Sequence, residues 1–500
     1  MPAKKKDLKL LFINPCLRPG GHTKLLPVGL GSVMTYFYDN GYKFTLLDID
    51  INEFDDAYVE NYLKNNNFDF ILFGTLVTHY KWIKWLTNTA KRCQPNATVI
   101  VGNSVSSSIP ELFLQKTNGD VVIIGEGEIS AYETVEAIRL NKPLDNVPGI
   151  SFRKKDGEIK VNDLRKVGNI NDFSVINWDF FDVERYLAKP SVKADREKDV
   201  TRAMPVITAR GCAFKCTFCH YVFWNDPYRN RAPNSVTNEI RHLIDKYNVT
   251  HIDFWDDLSF SAARQVEKMC DEILDSGLKF KWMCSVRVDL FSRGNLSHDD
   301  ALRVAKKMKE AGCYDVGFAL ESGNQEILEM MNKKIDVNGF FETVSIFKQV
   351  GITVNTSVVF GYPSESKKSI KETFDQCLKA GVYPSIGFLL PLPATGMYDY
   401  AKQKGHITDE DAYLDSITER QDICVNMTKL TDDEIMSEIK IGAKKLNDML
   451  DLGLNENTYI KTKGYKNSKT DEKKLLAKTV ARNQNDVSFN YSNQEFEFES

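Results

Sequence analysis

Short apolar runs alternating with amphipathic stretches set the rhythm of the first part of the chain. Leu8 to Asn14, Lys43 to Asp48, Phe68 to Gly74, Thr98 to Gly102 and Asp120 to Gly125 are runs of five to seven residues rich in Leu, Ile, Val and Phe. That is the length and composition of buried strands. Helical patterns separate them, from Val28 to Asn40 with Gly41 as C-cap, and from Lys81 to Cys93. The alternation predicts a parallel, doubly wound α/β sheet, a Rossmann-like domain. Ligands of such sheets lie beyond the carboxyl ends of the strands. The loops there hold Asn14-Pro15-Cys16, Gly74-Thr75-Leu76, Gly102-Asn103-Ser104 and Gly125-Glu126-Gly127-Glu128. Each glycine alone reads as a turn. Four small-residue loops on one edge read as a binding face, because glycine lets a bulky ligand reach the backbone. No G-x-G-x-x-G follows the first strand, which disfavours a nicotinamide or flavin dinucleotide.

The rhythm breaks over residues 146–200 and then resumes. Val147 to Phe152 followed by Lys155-Asp156-Gly157-Glu158 predicts a hairpin with an Asp-Gly turn. The charged stretch after it reads as a connector that could lie over an active site. Six further strand-like runs follow, ending at Arg210, Asp256-Asp257, Arg287, Glu321-Ser322-Gly323, Gly361-Tyr362-Pro363 and Pro391. They fit a partial (β/α)6 TIM-type barrel, with polar strand ends placing the chemistry on one rim. Thr431-Asp432-Asp433-Glu434 opens a helix running to about Leu450. The expected division is 1–145, a ligand-binding sheet domain; 146–200, a linker; 201–425, the barrel; 426–460, a helical segment. Residues 461–500, rich in Lys, Asn and Ser, read as a disordered tail.

Composition narrows the function classes. A net charge of -4 gives no basic field for nucleic acid. No apolar run approaches the ~20 residues of a spanning helix. Met1 to Lys6 is basic but lacks a signal-peptide core. Ten cysteines with three of them clustered predict a reducing, cytoplasmic setting rather than a disulfide framework.

The clustered three are Cys212, Cys216 and Cys219, at C-x3-C-x2-C spacing in one glycine-containing loop after a buried strand. Three readings fit these residues. They could be packed structural cysteines. With His220 they could close a four-ligand zinc site. Alone they could hold an iron–sulfur cluster with one iron left open. Cys16, Cys93, Cys270, Cys284, Cys313, Cys377 and Cys424 are scattered and read as packing, so no second cluster is expected.

The spacing, with Phe218 just before the last cysteine, resembles the signature of the radical S-adenosylmethionine (SAM) enzymes. Pro27-x-Gly29-Leu30 and Gly125-Glu126-Gly127-Glu128 resemble segments of the cobalamin-binding domain carried by one branch of them; the likeness spans roughly residues 8 to 425. The resemblance implies that Cys212, Cys216 and Cys219 hold three irons of a [4Fe–4S] cluster, whose fourth iron takes the amino and carboxylate groups of SAM. It places Phe218 and Glu321-Ser322-Gly323 against SAM, Arg287 on the methionine carboxylate, and Asp256-Asp257 at a strand end of less uniform role. It assigns Gly74, Thr75, Gly102, Gly125, Glu126 and Gly127 to cobalamin. The implied activity is methylation of an unactivated carbon, by way of a 5′-deoxyadenosyl radical, in a small-molecule or lipid biosynthetic intermediate. An external one-electron reductant such as flavodoxin or ferredoxin would feed it. The rival readings are a radical cyclase, dehydratase or epimerase without functional cobalamin, and, from another class, a zinc-stabilised binding protein. D-x-H-x-x-G, whose histidine ligates cobalt from below, is absent from Asn14 to His22. His22 and His79 therefore read as loop residues.

Overall fold

The computed structural model describes residues 5–17, 24–189, 201–220, 226–292, 296–417, 422–456 and 459–460. The expectations placed on His22 and the tail 461–500 lie outside the described residues. The chain forms two compact units. One comprises Met1–Tyr186, His220–Asp226 and Leu392–Thr418; the other comprises Leu187–Cys219, Pro227–Pro391 and Glu419–Ser500.

In the first unit the five expected strands form: β1 (Leu10–Asn14), β2 (Phe44–Asp48), β3 (Phe70–Gly74), β4 (Thr98–Gly102) and β5 (Val121–Ile123). They lie parallel in the order β2-β1-β3-β4-β5. Leu10, Leu11, Phe12 and Ile13 are all buried. The run is continuous rather than alternating because helices cover both faces of a parallel sheet. The expected hairpin appears as β6 (Ile150–Arg153) and β7 (Ile159–Val161), which extends the same sheet antiparallel. The connector is fastened at the carboxyl ends of β1 and β2. Tyr186 donates its hydroxyl to Asp48 (2.9 Å), and Asn14 donates its amide to Asp48 (2.8 Å) and to the Tyr186 oxygen (3.0 Å). Burial raises the Asp48 carboxyl, and these bonds oppose the rise.

In the second unit β8 (Ala203–Val206) leads into a short antiparallel pair, β9 (Ala209–Arg210) with β10 (Arg229–Asn230). Then follow β11 (His251–Phe254), β12 (Lys281–Val286), β13 (Cys313–Phe318), β14 (Thr353–Asn355), β15 (Ser357–Phe360) and β16 (Ser385–Phe388). One parallel sheet runs β14-β13-β12-β11-β8 and a second pairs β15 with β16. β14 and β15 are one strand interrupted at Thr356. There the hydroxyl donates to the Phe318 carbonyl and accepts from the Leu320 N–H (3.2 Å), taking the place of a ladder bond. A bridge from Glu321 to Val358 rejoins the two sheets. Six parallel strands result, as the alternation predicts. Phe291, Phe318 and Phe347 pack edge to face under the helices, with centroids 4.8 to 6.0 Å apart. The helix Asp432–Met449 starts at the Thr431/Glu434 capping box. It lies on the helix Lys367–Ala380, where Gly442 leaves room for the Phe374 ring. Among the described residues no helix is long and apolar enough to cross a membrane.

Candidate active site

The three cysteines share a loop whose base is pinched by β9 and β10. Gly211 takes φ +85°, and a Cβ there would stand 2.4 Å from the Pro227 carbonyl oxygen, so only glycine closes the base. Asp256 fastens the root: its carboxylate accepts from the Thr208 N–H (2.8 Å), the Thr208 hydroxyl (2.6 Å) and the Ala209 N–H (3.0 Å). Burial pushes its carboxyl up to about 6 against these three bonds. Asp256 is thus a brace.

The turn after the helix Gln325–Met330 supports the far side of the loop. The Thr217 N–H donates to the Met331 carbonyl (2.9 Å), the Thr217 hydroxyl to the Met330 carbonyl (3.1 Å), and the Asn332 amide to the Lys215 carbonyl (2.7 Å). Buried Tyr362 lies with its hydroxyl 3.3 Å from that of Thr217 and its ring edge-on to Phe218. Arg287 lays its guanidinium over the Phe214 ring, 3.7 Å from the centroid. The same side chain donates to both oxygens of Asp289 (2.9 and 3.2 Å), to the Lys333 carbonyl and to the Lys334 carbonyl (3.1 Å).

One ammonium and one carboxylate remain beside the thiols. Lys333 Nζ stands 3.0 Å from Glu321 Oε1, both side chains under a tenth exposed. Glu321 Oε2 is buried without a hydrogen-bond partner. Glu321 holds φ +65°, a conformation costly for a residue with a side chain. Its neighbours Ser322 and Gly323 serve packing: a Cβ on Gly323 would meet Thr373 Cα at 2.5 Å, and Ser322 accepts from the Asn324 N–H (3.1 Å). Within the predicted triplet only Glu321 offers an unused polar side-chain atom.

Desolvation raises all three thiols, Cys219 to about 12, and Lys333 opposes the rise at each. Asp257 adds to the rise at Cys212 and Cys219. Cys219 and Asp257 are open to solvent, yet desolvation raises both groups. The thiols are protonated near neutrality, so loading a metal centre releases protons.

Among the described residues no group of three or more His, Cys, Asp or Glu is drawn together as a ready metal site. His220 engages the Pro393 carbonyl through Nδ1 (2.9 Å), and burial pushes its imidazole down to about 4. His220 Nε2 is buried without a hydrogen-bond partner. Three thiols with an ammonium and a carboxylate beside them fit a cluster with one open iron.

In the first unit the predicted glycines play unequal parts. Gly74 pairs with Gly102 across β3 and β4, and a Cβ on Gly74 would meet the Gly102 oxygen at 2.5 Å. Gly102 itself has room, its nearest neighbour being Ile123 Cβ at 3.8 Å. Thr75 is buried, and its carbonyl accepts from the Val105 N–H (3.0 Å). Gly125 sits at φ +88°, Glu126 caps and Gly127 opens the helix Gly127–Arg139, and Glu128 accepts from the Ser32 hydroxyl (2.6 Å). His79 Nε2 lies 2.6 Å from the Leu17 carbonyl oxygen.

Sequence comparison decides the family. The profile of the Radical SAM superfamily matches residues 206–377 and that of the B12 binding domain residues 22–135. The chain is a radical SAM protein with a B12-binding domain. SAM and cobalamin are the cofactors for which these two domain families are named. It is 27% identical over 316 residues to an uncharacterised methyltransferase of Pyrococcus horikoshii, across 62% of this chain and 64% of that one, just under two thirds of its length. It is 23% identical over 492 residues to the cytidylyl-2-hydroxyethylphosphonate methyltransferase of Streptomyces wedmorensis, across 88% and 89%. Two solved structures share the fold. The radical SAM methyltransferase TsrM of Kitasatospora setae aligns with a TM-score of 0.64 at 17% identity, over 80% of this chain and 77% of that one. The cobalamin-dependent radical enzyme OxsB aligns with a TM-score of 0.63 at 16% identity, over 88% and 61%.

Lys333 and Asn332 are the residues that sequence reasoning misses. They lie in Met331-Asn332-Lys333-Lys334, a polar turn with no chemical signature. Left-handed backbone at Asn332 (φ +50°) and Lys334 (φ +53°) frames Lys333, which lies buried between them.

Proposed function

We propose that this protein transfers a methyl group from SAM to an unactivated carbon of a small-molecule or lipid biosynthetic intermediate, with residues 1–145 as the cobalamin domain and 201–425 as the radical domain. The observation that carries the reading is a three-thiol loop at the rim of a six-stranded barrel in a chain that also has a B12-binding domain. Cys212, Cys216 and Cys219 would hold the cluster. Lys333 and Glu321 match the two charged groups of the methionine moiety, ammonium toward carboxylate and carboxylate toward ammonium. Arg287, engaged with Phe214 and Asp289, braces the loop. Phe218 and Tyr362 keep water from its inner side, which strengthens each charged contact there. Gly102, Gly125 and Gly127 expose backbone to cobalamin. Held by the three cysteines, the cluster would supply one electron for reductive cleavage of SAM and cobalamin would carry the methyl group. An acidic flavodoxin- or ferredoxin-type protein would serve as reductant. The methyltransferase names of relatives on either side of 25% identity support methyl transfer.

A second reading, ring closure, is favoured by two relatives named anaerobic magnesium-protoporphyrin IX monomethyl ester cyclase, of Cereibacter sphaeroides at 26% identity over 291 residues and of Rubrivivax gelatinosus at 24% over 381. The products separate the two. Methyl transfer leaves S-adenosylhomocysteine as well as 5′-deoxyadenosine, whereas ring closure leaves 5′-deoxyadenosine alone. The reconstituted protein, incubated anaerobically with SAM, a strong reductant and a corrinoid, is expected to form both. Formation of 5′-deoxyadenosine only would overturn the methyltransferase reading.

A further inference from the structure

The cysteine loop meets the turn Met330–Lys334 through three hydrogen bonds, and only one of them uses a side chain of the turn. That one is the Asn332 amide on the Lys215 carbonyl, at 2.7 Å. The other two end on the carbonyls of Met330 and Met331, which any residue would present. Asn332 also holds φ +50°, a conformation asparagine tolerates better than most residues with a Cβ. The position therefore selects one residue for two reasons: a side-chain donor for the loop, and a backbone that delivers Lys333 inward.

We propose that Asn332 is a positioning residue of the three-thiol loop, holding it closed over Cys216 before any metal is loaded. Lys215 lies next to Cys216 in sequence, so a bond to its carbonyl restrains that thiol directly. Cys216 is 8% exposed, and in the closed loop it is shielded from reagents in water. Arg287 acts from the other side, through Phe214 and the Lys333 and Lys334 carbonyls. The turn and the loop thus form one clasp, and the residue after Asn332 is the ammonium that faces Glu321. Loosening the clasp opens the loop without unfolding the barrel, because the bond lies at the surface.

The proposal rests on the loop geometry, and its first test needs no cluster. Apo-protein is treated with iodoacetamide and the labelling rate of each cysteine is read by mass spectrometry. Cys377, wholly buried under the second unit, reports global unfolding. Asn332→Gly keeps the left-handed backbone and removes only the amide. It is expected to speed labelling of Cys216 about fivefold, the population change that loss of one ordinary hydrogen bond produces, with Cys377 unchanged. Asn332→Asp, which turns an acceptor toward the Lys215 carbonyl, should speed it further. After anaerobic reconstitution, both variants should lose iron to a ferrous chelator faster than the parent. Unchanged Cys216 labelling in Asn332→Gly, or Cys216 and Cys377 rising together, would overturn the proposal. Faster Cys216 labelling in a protein that takes up no iron would support the clasp while refuting the cluster reading.

Discussion

The carboxyl edges of the two parallel sheets are built from opposite materials. In the first unit the edge is backbone: Gly74, Gly102, Gly125 and Gly127, with Thr75 buried beneath them. In the second it is side chains: Cys212, Asp256, Arg287, Glu321 and Tyr362 close the corresponding strand ends. A surface of backbone and hydrogen atoms suits a wide, preformed ligand that brings its own chemistry. A rim of thiols, carboxylates and cations suits a small charged ligand whose bonds are to be broken. One topology supports both, and the choice is made by a few residues after each strand.

The largest effect should come from the rim of side chains. Cys212→Ala removes one of three thiolates that no fourth residue can replace, so iron and sulfide bound after reconstitution should fall to background. Cys93→Ala lies in the other unit and should leave both at the parental level. Equal iron in the two variants would remove the difference between the edges.

Next comes the buried pair. Removing one partner of a buried ion pair leaves an uncompensated charge and costs about 3–5 kcal/mol, so Lys333→Met should lower the melting temperature sharply. The double variant Lys333→Met, Glu321→Gln should recover much of it. Both should bind SAM weakly in equilibrium dialysis. Parental SAM binding by the double variant would show that the pair serves the fold alone.

The edge of backbone can be divided by its own glycines. Gly74→Ala drives a Cβ into the Gly102 carbonyl and should cost about 1–3 kcal/mol as overpacking does. Gly102→Ala has space and should melt like the parent, yet retain less corrinoid on anaerobic purification. If Gly102→Ala keeps full corrinoid, the cofactor does not approach that backbone.

These contrasts show what the sequence could reveal. The strands of both units were legible because a strand buried on two faces is a short unbroken apolar run, as Leu10 to Ile13 is in the first unit and Val316 to Phe318 in the second. The cysteine spacing was legible because few structures need it. The partners of Arg287 were not. A strand-end arginine suggests a ligand contact, while its actual neighbours, Phe214 and the carbonyls of residues 333 and 334, are distant in sequence. Glu321 was legible by its place after β13, but its free oxygen and left-handed backbone depend on packing against β15. The inclusion of residues 220–226 and 392–418 in the first unit was equally hidden, since no local pattern encodes a return across the intervening residues 227–391.

The smallest effect is expected where neither edge has any part, and its boundary can be placed to the residue. Residues 461–500 are rich in Lys, Asn and Ser, and a chain ending at Ile460 is expected to melt like the full one and keep both cofactors. Four residues earlier the result changes. Tyr459 and Ile460 are each 5% exposed, the Tyr383 hydroxyl donates to the Tyr459 carbonyl (3.2 Å), and the Asn447 amide reaches the Tyr459 hydroxyl (3.4 Å). Burial of two such side chains stabilises by about 3–6 kcal/mol at most, and the buried Tyr383 hydroxyl would lose the Tyr459 carbonyl as acceptor. A chain ending at Glu456 should therefore melt several degrees lower, with the loss confined to the unit that holds the thiols and corrinoid retention untouched. Thermal melts of the two truncations, read beside iron and corrinoid content, check this. If corrinoid falls with the shorter chain, the two edges depend on each other for stability, and the contrast between them is one of chemistry only.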